Sequence, residues 1–161
     1  MQRYINQLIE DLRAAKNQVP PEPKLSEDYE EFEKQMFEME TSPSIPMKQL
    51  FGISYDELPP PEKLTEEQMQ QLIDAIFETW AAFNCSAEFP DDVPIKLQYD
   101  LVRDQFADPI HYMPGYSMDF DFCIAWCPEC KITEYCTLKD EIWTKEELEE
   151  ERSKKPDSNA N

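Results

Sequence analysis

Glycine occurs only twice in this chain, at Gly52 and Gly115, whereas proline occurs fourteen times. At the average usage of about 7%, a chain of this length would carry roughly eleven glycines. Glycine is the residue that lets a backbone approach a phosphate closely or take positive φ. With two of them, neither a Walker loop nor a dinucleotide fingerprint can be built, so nucleotide-dependent folds of the common kinds are excluded. The prolines punctuate the chain instead, and the segments between them set its organisation.

Charge narrows the partners. The 161 residues carry 35 acids and 15 bases, a net charge of -20. Residues 1–63 hold 13 acids and 7 bases, residues 64–136 hold 14 and 3, and residues 137–161 hold 8 and 5. Bases are scarcest where the core should lie. Nucleic-acid affinity comes mostly from Lys and Arg neutralising phosphates, and anionic membrane surfaces attract the same residues. The expectation is therefore no nucleic acid and no membrane, with a protein partner, basic if charge selects it. The apolar share, 40%, is too large for a fully disordered chain. No apolar run approaches the roughly 20 residues that span a bilayer. Met1 to Leu12 carries Glu10 and Asp11 and has no uninterrupted apolar h-region, so the expected location is cytoplasmic.

Periodicity predicts a helix over 3–17, with Ile5, Leu8, Ile9 and Leu12 on one face. Pro20, Pro21 and Pro23 end it. A second amphipathic helix is expected over 27–40, capped by Ser26, with Tyr29, Phe32, Met36 and Phe37 as its apolar side. A helical turn follows between Pro46 and Gly52, with Leu50 and Phe51 as its apolar pair, and Pro59 to Pro61 read as a stiff, extended spacer. The strongest signal covers 66–83. Thr65 and Gln68 form a capping box, Leu64 and Met69 a hydrophobic staple, and Met69, Leu72, Ile73, Ile76, Phe77, Trp80 and Phe83 one broad apolar face. A further helix is expected over 94–107 through Ile95, Tyr99, Val102 and Phe106, although Ile95, Leu97 and Tyr99 also alternate as a strand would. Tyr116, Met118, Phe120 and Phe122 alternate with polar residues as in a half-buried strand. Thr144 and Glu147 suggest the capping box of a polar helix from about 145, and Pro156 to Asn161 read as disordered.

The expected fold class is mainly α: a small helical domain with a short β element and a cysteine-bearing turn near the C-terminus. The expected organisation is an N-terminal helical extension with proline-rich linkers (1–63), a core domain with the cysteine cluster (64–143), and a polar helix and tail (144–161). The extension either docks on the core or reaches for a partner.

Cys85, at the end of the core helix, reads as a small buried residue. The other four cysteines, Cys123, Cys127, Cys130 and Cys136, fall within fourteen residues as C-x3-C-x2-C-x5-C. Three explanations stay open. Four thiolates can close a tetrahedral zinc shell or hold an iron–sulfur cluster, zinc being preferred, with His111, Asp119 and Asp121 as possible auxiliary ligands. Two of them can instead carry thiol–disulfide chemistry. Or, in a reducing compartment, all four simply pack.

The first three cysteines share the spacing of radical-SAM enzymes, which need a barrel larger than this chain. The run Phe120 to Lys131, containing Trp126-Cys127-Pro128-Glu129-Cys130, resembles the active-site stretch of thioredoxin-like proteins. That resemblance implies Cys127 as attacking thiol, Cys130 as resolving thiol, and a helix N-terminus lowering the pKa of Cys127. It covers about a dozen residues, and Glu129 stands where that family has proline or a small residue. The reading carried forward is a small acidic accessory or interaction protein with a structural zinc held by Cys123, Cys127, Cys130 and Cys136. A thiol oxidoreductase and a zinc-free interaction module are the alternatives. No Ser/His/Asp triad or nucleotide site is expected.

Overall fold

The computed structural model describes residues 1–120, Tyr135 and 145–154. One compact unit comprises Met1–Glu88 with Pro94–Phe120. The protein is mainly helical, with one two-stranded parallel sheet among the described residues. No helix among those residues is long and apolar enough to cross a membrane.

The central element is α4 (Glu66–Ala82), where α1 is Gln2–Ala15, α2 is Tyr29–Glu40 and α3 is Met47–Phe51. The start of α4 is fixed by its capping box. The Gln68 N–H donates to Thr65 Oγ1 at 3.1 Å, and the Thr65 N–H donates to Gln68 Oε1 at 3.0 Å. Met69, Leu72, Ile73, Ala75, Ile76, Thr79 and Trp80 are buried along it. So wide an apolar face needs cover on more than one side. One cover is α1, which buries Ile5, Leu8, Leu12 and Ala15. The other is α5 (Ile95–Asp104), continued by a 3₁₀ turn at Gln105–Ala107, which brings Tyr99, Val102 and Phe106. The seam between α1 and α4 is closed by the buried Thr79 hydroxyl, 3.1 Å from the Leu12 carbonyl and 2.8 Å from that of Ala75. Lys16 pairs with Glu78 at its exposed edge and holds that carboxyl below its ordinary range. The N-terminal helix thus docks on the core.

The helical turn α3 sets Phe51, fully buried, edge-on to Phe83 with ring centroids 5.0 Å apart. It stops at Gly52, whose φ of +78° is in the left-handed region and whose N–H returns to the Lys48 carbonyl at 3.0 Å. A Cβ added there would meet only the Asp11 carbonyl, at 3.7 Å. The cost of a side chain at this position is therefore backbone strain. Gly52→Ala is expected to lower stability by roughly 1–2 kcal/mol, and Gly52→Asn by less, because asparagine tolerates this conformation. Thermal unfolding of both variants checks this, and equal melting temperatures for Ala and Gly would contradict it.

The proline run departs from the expected spacer. Pro60 is extended, but Pro61 opens a 3₁₀ turn at Pro61–Lys63, and Leu58, Pro59 and Pro61 are buried. Prolines have no N–H to satisfy, so only carbonyls need partners when such a run is buried. α5 supplies them: Tyr99 Oη donates to the Pro59 carbonyl at 2.6 Å, and Arg103 Nε to that of Leu58 at 3.0 Å. Arg103 Nη1 also donates to Tyr55 Oη at 2.8 Å, and the guanidinium lies 4.1 Å from the Tyr55 ring centroid.

After α4 the chain reverses at Asn84, φ +60°, a left-handed residue filled without glycine. β1 (Cys85–Ser86) then pairs in parallel with β2 (Met118–Asp119), Cys85 opposite Met118 and Ser86 opposite Asp119. The strand expected from 116 is thus shorter at its start. Tyr116 belongs to a turn, its N–H bonded to the Met113 carbonyl at 3.2 Å with Gly115 at φ +83°. Phe120 follows β2, buried against Trp80 with centroids 3.8 Å apart. Ile45 and Ile110 make one antiparallel bridge. Apart from this unit, α6 (Lys145–Lys154) is polar, with Glu146 and Glu147 in its first turn and Arg152 and Lys154 in its last.

Candidate functional site

Cys123, Cys127, Cys130 and Cys136, together with Asp121 and Trp126, lie outside the described residues. Two of the suggested auxiliary ligands lie inside. Asp119, at the end of β2, accepts a hydrogen bond from the Ser86 hydroxyl. His111 is half-buried, and its Nε2 is buried without a hydrogen-bond partner. Among the described residues no three His, Cys, Asp or Glu side chains come together as a metal site. Cys85 is free and 3% exposed, packed as expected. Burial, and secondarily Asp119, pushes its thiol up to about 11. A thiol held protonated in this way is a poor nucleophile.

The described part of the molecule offers a different feature, built around α2. Asp28, not Ser26, is the N-cap. Its carboxylate accepts the Glu31 N–H at 3.0 Å, while the Ser26 hydroxyl accepts the Asp28 N–H at 3.1 Å. Glu30 and Glu31 occupy the first turn, where negative charge suits the helix dipole. No residue of α2 is fully buried. Phe32, Gln35, Met36 and Met39 are half-buried and form its inner stripe. Gln35 Oε1 accepts the Ser26 N–H at 2.8 Å, and Tyr116 Oη contacts Met36 Sδ at 3.0 Å.

Tyr29 and Phe37, expected on the packed side, point the other way and are 70% and 65% exposed. With Glu33 they form an i, i+4, i+8 row, and Tyr29 Oη donates to Glu33 Oε1 at 2.7 Å, raising the phenol's pKa. The inner stripe is narrow because α2 meets extended chain there, not a second helix. Hydrophobicity alone placed four apolar side chains on one face, whereas the surface available covers only two of them, Phe32 and Met36.

Beside this inner stripe lies a cleft of about 310 Å³. Pro23, Leu25, Met39, Tyr112, Met113 and Pro114 supply its apolar wall, and Lys24, Gln35, Glu38 and Ser42 its polar part. Its position follows from two local constraints. The Ser26–Gln35 bond holds the segment before α2 against the helix. The turn at Gly115 lets the Glu22 side chain lie close over it, since a Cβ on Gly115 would be 3.1 Å from Glu22 Cγ. Burial raises the pKa of the Tyr112 hydroxyl in the cleft wall. A second, polar groove of about 430 Å³ runs between α1 and α4, lined by Glu10, Arg13, Asp74 and Glu78 among others. Its one lining base, Arg13, lies 3.7 Å from Glu78, which Lys16 also approaches from outside the groove.

No single motif marks the α2 feature in the sequence. The available signal was compositional: residues 22–40 hold eight acids against Lys24 and Lys34, yet also three aromatic and two methionine side chains. No family model matches this chain, and neither a curated protein nor a solved structure matches it.

Proposed function

We propose that this chain is a cytoplasmic accessory protein that acts by binding a basic protein partner through the acidic, aromatic-bearing face of α2. Cys123, Cys127, Cys130 and Cys136 close around one structural zinc ion. The observation that carries the reading is the exposure of Tyr29 and Phe37 on a helix to which the core owes no fully buried residue. Aromatic side chains left in water on an acidic helix cost solubility and add little to folding. At an interface they supply the large apolar contacts that anchor binding. The carboxylates around them repel phosphate and select positive charge. Zinc is supported by the sequence alone, because four thiolates within fourteen residues suffice to complete its shell.

The partner half is tested with a lysine-rich peptide as probe. Binding at low salt is expected to weaken with added salt and to be lost in the charge-reversed variant Glu30→Lys/Glu33→Lys/Glu40→Lys. Unchanged binding in that variant would sink it. The zinc half is tested by elemental analysis of protein purified without added metal, where about one zinc per chain is expected and Cys127→Ser lowers the content. Metal-free protein that keeps the same far-UV and near-UV circular dichroism would refute it.

A second reading rests on the Trp126-Cys127-Pro128-Glu129-Cys130 run, in which Cys127 attacks a disulfide and Cys130 resolves it. It requires a reversible Cys127–Cys130 disulfide and a disulfide-reductase activity that Cys127→Ser abolishes.

A further inference from the structure

We infer that the cleft beside the inner stripe of α2 seats one apolar side chain of a basic partner segment, a further contact of the interaction proposed above on the side of the helix away from Tyr29 and Phe37. This inference rests on that reading and adds the place and the chemistry of the anchor.

The cleft is apolar where a ligand would touch it. Pro23, Leu25, Met39, Tyr112, Met113 and Pro114 form the wall. Two of its polar groups are already engaged by the protein's own backbone. Gln35 Oε1 takes the Ser26 N–H at 2.8 Å, and the Ser42 hydroxyl donates to the Met39 carbonyl at 2.8 Å. A small polar metabolite needs several convergent, unspent hydrogen-bonding groups to fix its orientation, and in this wall Gln35 and Ser42 are already bonded to the protein's own backbone. Its volume, about 310 Å³, is at the low end of the roughly 300–1,000 Å³ that ligand sites occupy. That suits one large side chain with the backbone that carries it. Met39 and Met113 are unbranched and polarisable, so the wall adapts to the shape of an aliphatic or aromatic anchor.

Charge selects the segment around that anchor. Glu38 lines the cleft and Glu22 lies over the turn at Gly115, next to Pro114. At the cleft itself these two acids stand against one base, Lys24. A segment that buries a leucine or phenylalanine between Leu25 and Met39 therefore places its flanking residues among carboxylates, where lysine and arginine are favoured and acids are rejected. Lys24, in the cleft wall, is the position where the partner tolerates an acid.

The test uses the full chain with methionine methyl groups labelled for NMR. The probes are two lysine–serine peptides of equal charge, one carrying two leucines a helical turn apart and the other with both leucines changed to serine. The leucine peptide is expected to shift the Met39 and Met113 methyl signals saturably while leaving those of Met47 and Met69 in place, and to bind about tenfold more tightly than the leucine-free peptide. Leu25→Gln/Met39→Gln should remove that tenfold advantage, with its circular dichroism and melting curve confirming that it folds. If that variant does not fold, Met113→Gln alone serves the same purpose.

If the two peptides bind equally, the anchor site is overturned and the basic-partner reading stands. If neither peptide binds at low salt, both are overturned. If the Met39 and Met113 signals shift with protein concentration in the absence of peptide, the cleft belongs to a second copy of this chain, and the inference falls.

Discussion

Trp80→Ala is expected to remove about 3–5 kcal/mol of stability, the range for deleting a fully packed large aromatic side chain. Trp80 is 1% exposed. Its ring stacks on Phe120 at 3.8 Å and on Phe106 at 6.1 Å, with Phe77 at 5.6 Å and Phe51 at 6.5 Å completing the cluster. A domain of ordinary stability holds about 5–15 kcal/mol in total, so this single change consumes a large part of it. The variant should show a much lower urea midpoint and, near 37 °C, a measurable unfolded population.

The indole Nε1 is buried without a hydrogen-bond partner, which separates ring packing from polarity. Trp80→Phe keeps much of the aromatic contact and removes the unpaired donor, so it is expected to cost clearly less than alanine. A loss below about 1 kcal/mol for Trp80→Ala would mean that the aromatic cluster around Trp80 contributes little to the stability of the fold.

Tyr99→Ala is the second large effect, again about 3–5 kcal/mol, for a different reason. Tyr99 is fully buried, and its hydroxyl donates to the Pro59 carbonyl at 2.6 Å. Burial and the acid Asp100 raise the pKa of the phenol, with Arg103 opposing them, so the hydroxyl stays protonated and remains a donor across the neutral range. Tyr99→Phe keeps the ring and leaves the Pro59 carbonyl buried without a donor, at a cost of about 1–3 kcal/mol. The difference between the two variants, read from urea unfolding, measures packing apart from hydrogen bonding. If Tyr99→Phe were neutral, the proline run would be held by packing alone.

The elements that could be read from the sequence are those in which several local signals agree. α4 carries a capping box, a staple and a broad 3.6-residue stripe, and it lies where those signals place it. α1 and the helical reading of 94–107 rest on the same periodicity. The failures have physical causes. A strand of two residues, Cys85–Ser86, has no period to detect, so the partner of Met118–Asp119 could not be recognised. The reversal at Asn84 uses a left-handed residue that is not glycine, so the glycine count alone underestimates what the backbone can do. The buried proline run depends on Tyr99 and Arg103, some forty residues later, and no local pattern announces a donor at that distance.

On α2, hydrophobicity correctly marked Phe32 and Met36. It also assigned Tyr29 and Phe37 to the packed side, because it measures what a side chain tolerates and not how much surface its neighbours offer. The cleft draws its wall from segments around residues 24, 39 and 113, none with a signature of its own. The cysteine positions lie outside the described residues, and their reading comes from the sequence alone.

The bond between Thr79 and the Leu12 carbonyl joins residues 67 apart in sequence. During synthesis α1 is therefore made long before the surface that covers it exists. Until α4 is complete, Ile5, Leu8 and Leu12 form an apolar stripe with nothing to bury it, and α4 in turn must wait for α5. Contacts of such long range are slow to form and leave sticky surface open in the interim. A net charge of -20 opposes association of such partly folded chains, because like-charged molecules repel one another.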